Sequence, residues 1–260
     1  MKKTKQSSFI EWNYNILISS IKKININIIL IMILDVLFYT LSAFAFIVWS
    51  GQITAKMESI ILPSHASLAS FGLEKAQQAV ADSRAFFFLL VFSIILMVLA
   101  IIFLASVLKG VIWTKTTNTK ITLRLISEFL GLNLIWMSFW FGAVFLVSYL
   151  IKDESASIFM LAVIILGLYF TNTLYTIFMK EQKLKSIFNA IKLNIVKIHL
   201  FLLPYAIILL LFYVIIKLIT PLQFKYSQII FGLVVLFYSA LVRYYISALV
   251  LDIDNKNLSF

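Results

Sequence analysis

One stretch of this chain decides its fold: residues 85–108 read AFFFLLVFSIILMVLAIIFLASVL. The stretch has no charged side chain, and it exceeds the roughly 20 residues that an α-helix needs to cross a hydrocarbon core of about 30 Å. The whole chain shares this character, because 62% of its 260 residues are hydrophobic and only 13% are charged. A soluble domain carries about 25% charged residues. The composition therefore predicts an integral membrane protein.

Six apolar runs are long enough to span a bilayer. They cover residues 26–50, 85–108, 129–151, 157–179, 200–219 and 227–251. The sequence thus predicts an all-α fold, a polytopic bundle of six transmembrane helices forming a single integral membrane domain over residues 1–260. Only the connection at residues 51–84 is long enough to form a small outer cap. In this cap Pro63 precedes a candidate helix that starts at Ser67 or Ser70.

Lysine and arginine are distributed unevenly between the connections. With the amino terminus in the cytoplasm, most of these residues fall in cytoplasmic segments. The positive-inside rule then predicts a multi-pass protein of the cell membrane with both termini in the cytoplasm. The same rule accounts for the formal net charge of +11 without a nucleic-acid partner. The expected partner is the lipid bilayer, with anionic lipid at the cytoplasmic face.

Two segments show a ladder of apolar residues at helical spacing just before a membrane span. The ladders are Ile10, Tyr14, Leu17, Ile21 and Ile24, and Leu184, Phe188, Ile191, Ile195 and Ile198. Lysines lie mainly on other faces, which is typical of a helix in the headgroup layer. We therefore predict amphipathic interfacial helices on the cytoplasmic side, within a threefold repeat whose middle copy covers residues 115–128. The alternative is that short cytoplasmic connectors are generally basic and amphipathic.

Motifs for catalysis and cofactor binding do not occur in the sequence. There is no nucleotide-binding glycine loop, zinc-binding His-Glu-x-x-His helix or esterase nucleophile elbow, and there is no cysteine. The two histidines, His65 and His199, are far apart along the chain. We expect no enzyme activity, no metal and no cofactor.

The third and fourth spans each carry polar and aromatic residues on one face. Asn133 and Trp136 lie one turn apart in the third span, and Asn172 and Tyr175 lie one turn apart in the fourth. With a rise of 1.5 Å per residue, Asn133 and Asn172 lie about 7 and 10 Å from the inner ends of their helices. These four residues make a candidate polar pocket open to the cytoplasmic side. The alternative, which we favour, is an interhelical hydrogen bond that joins the two spans.

Two charged residues lie well inside predicted spans. Asp35 in the first span and Arg243 in the sixth are at similar depths, about 13 and 12 Å from the inner ends. A charge at the bilayer centre costs about 2.5 to 3.5 kcal/mol, and such residues usually pair or face water. We therefore predict an intramembrane ion pair that clasps neighbouring first and last helices. Transport or proton relay, and an Arg243 that reaches the headgroups alone, are the less favoured alternatives.

The basic amphipathic helix from Lys183 to Lys197 runs directly into the fifth span. In this arrangement the chain resembles a loose group of prokaryotic six-helix membrane proteins. That group includes the membrane domain attached to some glycerophosphoryl diester phosphodiesterases. The resemblance covers the architecture of most of the chain and no specific motif. It implies a helical membrane module of undefined function, and because the catalytic domain of those enzymes has no counterpart here, their activity does not carry over.

These observations favour a non-enzymatic polytopic membrane protein that acts as a membrane module or scaffold, with other membrane proteins as partners. The alternative is a small transporter or permease subunit with a polar pocket on the cytoplasmic side. A transporter is expected to show broken helices or charged residues along a central path. Only Pro204 interrupts a span, and it lies near the start of that span.

Overall fold

A computed structural model describes residues 9–24, 26–58, 72–151, 155–221 and 226–256. These residues form eight α-helices and no strand, so the fold is all-α, as the sequence predicts. The helices are α1 (Phe9–Lys22), α2 (Asn27–Glu58), α3 (Leu73–Thr117), α4 (Leu123–Leu150), α5 (Ala156–Glu181), α6 (Ser186–Val196), α7 (Ile198–Ile219) and α8 (Ser227–Lys256).

Six of the helices in the described part of the chain are long and apolar enough to cross a membrane: α2, α3, α4, α5, α7 and α8. Their most apolar windows have mean hydropathies between 1.8 and 3.3. The chain is therefore a multi-pass membrane protein.

The helices extend beyond the apolar runs that predict them. α2 continues to Glu58, and α3 reaches from Leu73 to Thr117, whereas the sequence places the span boundaries at residues 50, 85 and 108. Hydropathy marks only the part of a helix that suits hydrocarbon, while backbone hydrogen bonding continues across charged residues until a cap or turn ends it. Residues 51–58 and 73–84 of the expected outer cap thus belong to α2 and α3. Pro63 and the start sites at Ser67 and Ser70 lie outside the described residues.

The chain divides into two compact units. Unit 1 comprises the residues up to Val36 and those from Ser106 onward, and unit 2 comprises Leu37–Ala105. Within unit 2, the Trp49 indole donates a hydrogen bond to Ser93 Oγ at 3.1 Å. This bond joins α2 to α3 inside unit 2.

The core of unit 1 lies at one end of its helices, which we call the proximal end. This end contains α1, α6, the N-terminal ends of α2, α4 and α7, and the C-terminal ends of α3, α5 and α8. Its largest fully buried side chains include Trp113, Phe129, Phe178 and Phe201. Toward the other ends of α4 and α5 the apolar side chains are exposed, which suits helix surfaces that face lipid.

A glycine permits the close approach of α3 and α4. A Cβ atom at Gly110 would lie only 3.2 Å from Phe129 Cδ1. On its other side, the Phe129 ring packs edge-on against Tyr175 of α5, with ring centroids 4.9 Å apart. An aromatic pair of this kind contributes about 0.5–1.5 kcal/mol beyond the area it buries. One ring therefore links α3, α4 and α5 at the proximal end.

The middle copy of the expected threefold repeat forms no separate helix. Residues 115–117 complete α3, and residues 123–128 begin α4. Between them Asn118 adopts the left-handed conformation, with φ of 55°, which ends α3. Thr122 then caps α4 by accepting a hydrogen bond from the Leu125 amide. The threefold prediction is wrong for this copy, because a turn and a cap stand where the interfacial helix was expected.

Candidate functional site

Three helices of unit 1 bring charged side chains to one depth. Asp35 lies eight residues after the first residue of α2, and Lys109 lies eight residues before the last residue of α3. At 1.5 Å per residue, both lie about 12 Å along their helices from the proximal end. Arg243 of α8 meets them at this level. We call Asp35, Lys109 and Arg243 the charge cluster.

The Asp35 carboxylate is shared between the two cations. Lys109 Nζ donates a hydrogen bond to Oδ1 at 2.5 Å, and Arg243 Nη1 lies 2.6 Å from Oδ2. The Arg243 contact is an ion pair without the alignment of a hydrogen bond. The guanidinium is held on another side by Nη2, which donates to Ser239 Oγ at 3.1 Å. Each carboxylate oxygen therefore faces a different cation.

The charge cluster is largely shielded. Side-chain exposure is 0% for Asp35, 9% for Arg243 and 15% for Lys109. Removing one partner from a buried pair costs about 3–5 kcal/mol, because an uncompensated charge is left in a medium of low dielectric. The cluster therefore restrains α2, α3 and α8 to neighbouring positions at this depth of unit 1.

The structure brings together Asp35 and Arg243, the two residues that the sequence pairs, and adds Lys109. Sequence reasoning assigns Lys109 to a cytoplasmic connection, because the apolar run ends at Leu108. The sequence feature that could have placed Lys109 inside the helix is the apolar pair Ile112 and Trp113. This pair follows Lys109 on the same helix, and both residues are buried. A lysine flanked by apolar residues on both sides at helical spacing belongs to the helix and not to the connection.

Three of the four candidate pocket residues form direct hydrogen bonds between helices. Asn133 is fully buried; it accepts a hydrogen bond from the Tyr175 hydroxyl at 2.6 Å and donates to Ser106 Oγ at 3.1 Å. Trp136 Nε1 donates to Thr171 Oγ1 at 2.8 Å. Such bonds contribute about 0.6 kcal/mol each on average in membranes. This arrangement corresponds to the interhelical bonding that the sequence analysis favours over an open pocket.

Asn172 does not take part in this contact. Its side chain lies beside the Tyr205 hydroxyl of α7, and that hydroxyl donates to the Tyr169 carbonyl at 3.4 Å. Residues three apart differ by about 60° around a helix axis, so Tyr175 faces α4 while Asn172 faces α7. The residue of α5 that bonds to Asn133 is therefore Tyr175 and not Asn172.

The helix α6 packs against α5 through a face of small and polar residues. Ser186, Ala190 and Asn194 of α6 are buried in this contact. Thr173 Oγ1 donates to Asn194 Oδ1 at 2.8 Å, and the Tyr169 hydroxyl donates to the Asn194 carbonyl at 2.9 Å. Polar contacts therefore hold α6 to the bundle, and of its apolar ladder Ile191 packs against the core while Phe188 and Ile195 stay exposed.

The helix α1 packs against α8 in the same manner. Its buried residues Trp12, Ile16 and Ser20 have the spacing of the buried residues of α6. The Trp12 indole donates to Asp252 Oδ2 of α8 at 2.7 Å. The two amphipathic helices thus bind two different spans with equivalent faces.

Most residues of the apolar ladders of α1 and α6 face away from the protein, whereas Ile24 and Ile191 pack against the core. Ladder residues that are more than half exposed include Ile10, Tyr14, Ile21, Phe188 and Ile195. At about 100° per residue, the ladder lies beside the buried face of each helix. Lys185 and Lys192 occupy the remaining side at α6 and are exposed. Each helix therefore has a side toward the bundle and a free apolar side, and α6 adds a basic side.

Neither metal ligation nor relatives identify a function for these surfaces. Within residues 9–256, apart from the gaps given above, no group of three or more His, Asp and Glu side chains is placed to hold a metal ion. No protein-family model matches the chain, and no curated protein or solved structure matches it. The functional inference therefore rests on the geometry of the charge cluster and of the two amphipathic helices.

Substitutions in the charge cluster are expected to be coupled. Asp35→Asn removes the carboxylate that the two buried cations share and should lower the free energy of unfolding by about 3–5 kcal/mol. Arg243→Leu should cost less, because Lys109 still compensates Asp35. The double substitution should cost less than the sum of the two, as denaturant unfolding of the purified protein in detergent would show.

The matched control is Arg124→Leu. Arg124 pairs with Glu128 at the surface, with the Arg124 side chain 86% exposed. Arg124→Leu should therefore change the free energy of unfolding little, and this change should add to that caused by Asp35→Asn. Strict additivity between Asp35→Asn and Arg243→Leu would contradict a shared electrostatic contact.

Proposed function

We propose that this protein is a non-enzymatic membrane module, a scaffold that holds two amphipathic helices in the headgroup layer of the cytoplasmic leaflet and binds anionic lipid there. The observation that carries the proposal is the common arrangement of α1 and α6. Both bind a span through one face and leave most of the apolar ladder exposed. A free apolar face with a polar flank fits the boundary between headgroups and acyl chains.

The charges of α6 support a preference for anionic lipid. Lys185 and Lys192 are exposed on the side next to the ladder, and Lys183 stands just before the helix. Each lysine close to an anionic surface contributes about 1 kcal/mol to binding. Apolar insertion and charge attraction act on the same leaflet, so the two effects add.

The polar contacts of α1 and α6 with the bundle support a scaffold role. An isolated amphipathic peptide loses conformational entropy when it folds on a membrane. In this protein α6 is fixed by Asn194 and α1 by Trp12, so the helices meet the lipid already folded. Pre-ordering of this kind increases affinity for a given contact area.

The orientation belongs to the same proposal. The basic segments flank the proximal end, so the positive-inside rule places that end in the cytoplasm of a cell membrane and both termini with it. The resemblance to six-helix membrane modules is consistent with this topology. Other membrane proteins are the proposed partners of the scaffold.

A small transporter or permease subunit is the second candidate. The charge cluster favours it, because ionisable residues within a membrane often mark a substrate path. In a transporter the cluster would alternate between two access states. A cysteine at Ser239, beside Arg243, would then react with a charged thiol reagent from both sides of the membrane, whereas a scaffold permits reaction from one side at most.

The topology can be tested by cysteine labelling, because the chain has no native cysteine. Single cysteines at Ser155 and Pro221 should react with an impermeant maleimide in intact cells, since both positions are exposed at the end opposite α1 and α6. Cysteines at Lys120 and Gln182 should react only after permeabilisation. The reverse pattern would overturn the orientation.

The interfacial placement of α1 and α6 can be tested by spin labels in proteoliposomes. Labels at Tyr14 and Phe188 should be accessible to oxygen and protected from a water-soluble nickel reagent, because both side chains belong to the free ladders. A label at Lys192 should show the opposite pattern. Nickel access at Phe188 equal to that at Lys192 would contradict the proposal.

The preference for anionic lipid can be tested by measuring the phospholipid that co-purifies with the protein. The double substitution Lys185→Gln and Lys192→Gln should reduce the anionic phospholipid that co-purifies with the protein in mild detergent. Loss of a charge by Lys217→Gln, on α7 of unit 1 away from the proximal end, should leave it unchanged. If both variants retained the same amount of anionic phospholipid, the lysines of α6 would not determine the lipid preference.

A further inference from the structure

We propose that the turn between α3 and α4 is a third lipid-binding element, which inserts Ile121 and Leu123 into the anionic headgroup layer of the leaflet at the proximal end. The turn covers residues 118–122, and Leu123 is the first residue of α4. The inference rests on the proposed function in one respect, because it takes α1 to lie in that headgroup layer. It goes beyond the proposed function by adding an element that is not an amphipathic helix.

Two large apolar side chains project from this turn. Leu123 is 88% exposed, the highest value among the large apolar side chains in the described part of the chain, and Ile121 is 45% exposed. Insertion of both side chains at the boundary between headgroups and acyl chains would remove this apolar surface from water. Single exposed apolar residues are common on protein surfaces, so the assignment depends on how the pair is held, what flanks it and at what level it lies.

Local hydrogen bonds fix the direction of the apolar pair. Thr122, between the two residues, has an extended backbone, and its side chain accepts a hydrogen bond from the Leu125 amide of α4. Successive side chains of an extended segment point to opposite sides, so the apolar side chains lie on the side away from this cap. The preceding part of the turn is held by the Thr119 amide, which donates to the Thr114 carbonyl at 2.9 Å. The pair is therefore presented by an ordered turn.

Cations flank the apolar pair on both sides in the sequence. Lys120 is exposed, and so is Arg124. The Arg124 guanidinium pairs with the Glu128 carboxylate, so Lys120 provides the net positive charge at the turn. Aliphatic side chains next to cations match anionic headgroups above acyl chains. The bilayer is also the partner that a multi-pass protein meets at the ends of its spans.

The turn lies at the same level as α1, measured along the helices from the charge cluster toward the proximal end. The N-terminal part of α1 is bonded to Asp252 of α8, nine residues after Arg243 and thus about 13 Å from the cluster. On α3, Gly110 directly follows the lysine of the cluster and packs against Phe129 of α4. Leu123 precedes Phe129 by six residues, which places Leu123 about 10 Å from the cluster. A headgroup layer that holds α1 therefore also reaches the turn.

The surface of the turn is continuous with the ladder of α6. A Cβ atom at Gly131 of α4 would lie 3.8 Å from Cδ2 of Leu184, the first ladder residue. Gly131 lies two helical turns after Arg124 on the same face of α4. The turn also has the chain position of α1 and α6, because each of the three elements precedes a span that begins at the proximal end. The middle copy of the expected repeat thus forms no helix but keeps an apolar and basic surface.

The test uses the full chain with single cysteines, labelled with a nitrobenzoxadiazole fluorophore, in vesicles of phosphatidylcholine and phosphatidylglycerol. The label of Leu123→Cys should be quenched by phospholipid that carries a nitroxide near its headgroup, and it should lose most of its quenching by aqueous acrylamide. The matched control Lys120→Cys should remain quenched by acrylamide. In vesicles of phosphatidylcholine alone, acrylamide quenching at Leu123 should increase, because the attraction of the cations to the surface is absent. Ile121→Cys provides a second label on the apolar side of the turn and should respond like Leu123→Cys.

A label of Phe188→Cys on α6 separates failure of this inference from failure of the proposed function. Acrylamide quenching at Leu123 and Ile121, with a lipid-quenched label at Phe188, would overturn the third element and leave the proposed function intact. Acrylamide quenching at all three positions would overturn both. A label at Leu123 that neither acrylamide nor nitroxide lipid quenches would indicate contact with a second copy of the chain and would overturn the assignment to lipid. Identical quenching at Leu123 in both kinds of vesicle would overturn the assignment to anionic lipid.

Discussion

Two cations share a single buried carboxylate, and the arrangement of three helices at the proximal end depends on this contact. Asp35 is inaccessible, and Lys109 and Arg243 approach its two oxygens at 2.5 and 2.6 Å. Within a membrane none of the three charges is solvated elsewhere at low cost. Because they come from α2, α3 and α8, the cost of separating them restrains these helices.

The remainder of the proximal core uses contacts that lipid cannot replace. Apolar side chains gain little by leaving hydrocarbon for a protein interior, so helix association in a bilayer depends on close packing and on polar bonds. Unit 1 has both: Phe129 is packed against Gly110, and Asn133 is bonded to the Tyr175 hydroxyl. The same logic explains α6, which is fixed through the polar Asn194 and keeps the exposed part of its apolar ladder, including Phe188 and Ile195, available for lipid.

Much of the fold follows from the sequence, because hydrophobic length and helical period are properties of single segments. The six spans, the two ladders and the common depth of Asp35 and Arg243 are of this kind. The sequence assigns Lys109 to a connection because the apolar run ends at Leu108, while the helix continues to Thr117. Which residue of α5 bonds to Asn133 depends on the rotation of α5 about its axis, which no single segment specifies. The structure shows that this residue is Tyr175 and not Asn172.

The central claim is that Asp35 is an ionised carboxylate held by both Lys109 and Arg243 within the membrane. Carbon–nitrogen dipolar recoupling by solid-state NMR in lipid bilayers measures these contacts directly, with ¹³C in the aspartate carboxyl groups and ¹⁵N in the lysine or arginine side chains. An ionised carboxyl signal, lost in Asp35→Asn, should show a nitrogen within about 4 Å in each sample. Lys109→Met and Arg243→Leu should each remove one of these contacts. A protonated Asp35 signal, or one coupled to neither nitrogen, would contradict the account.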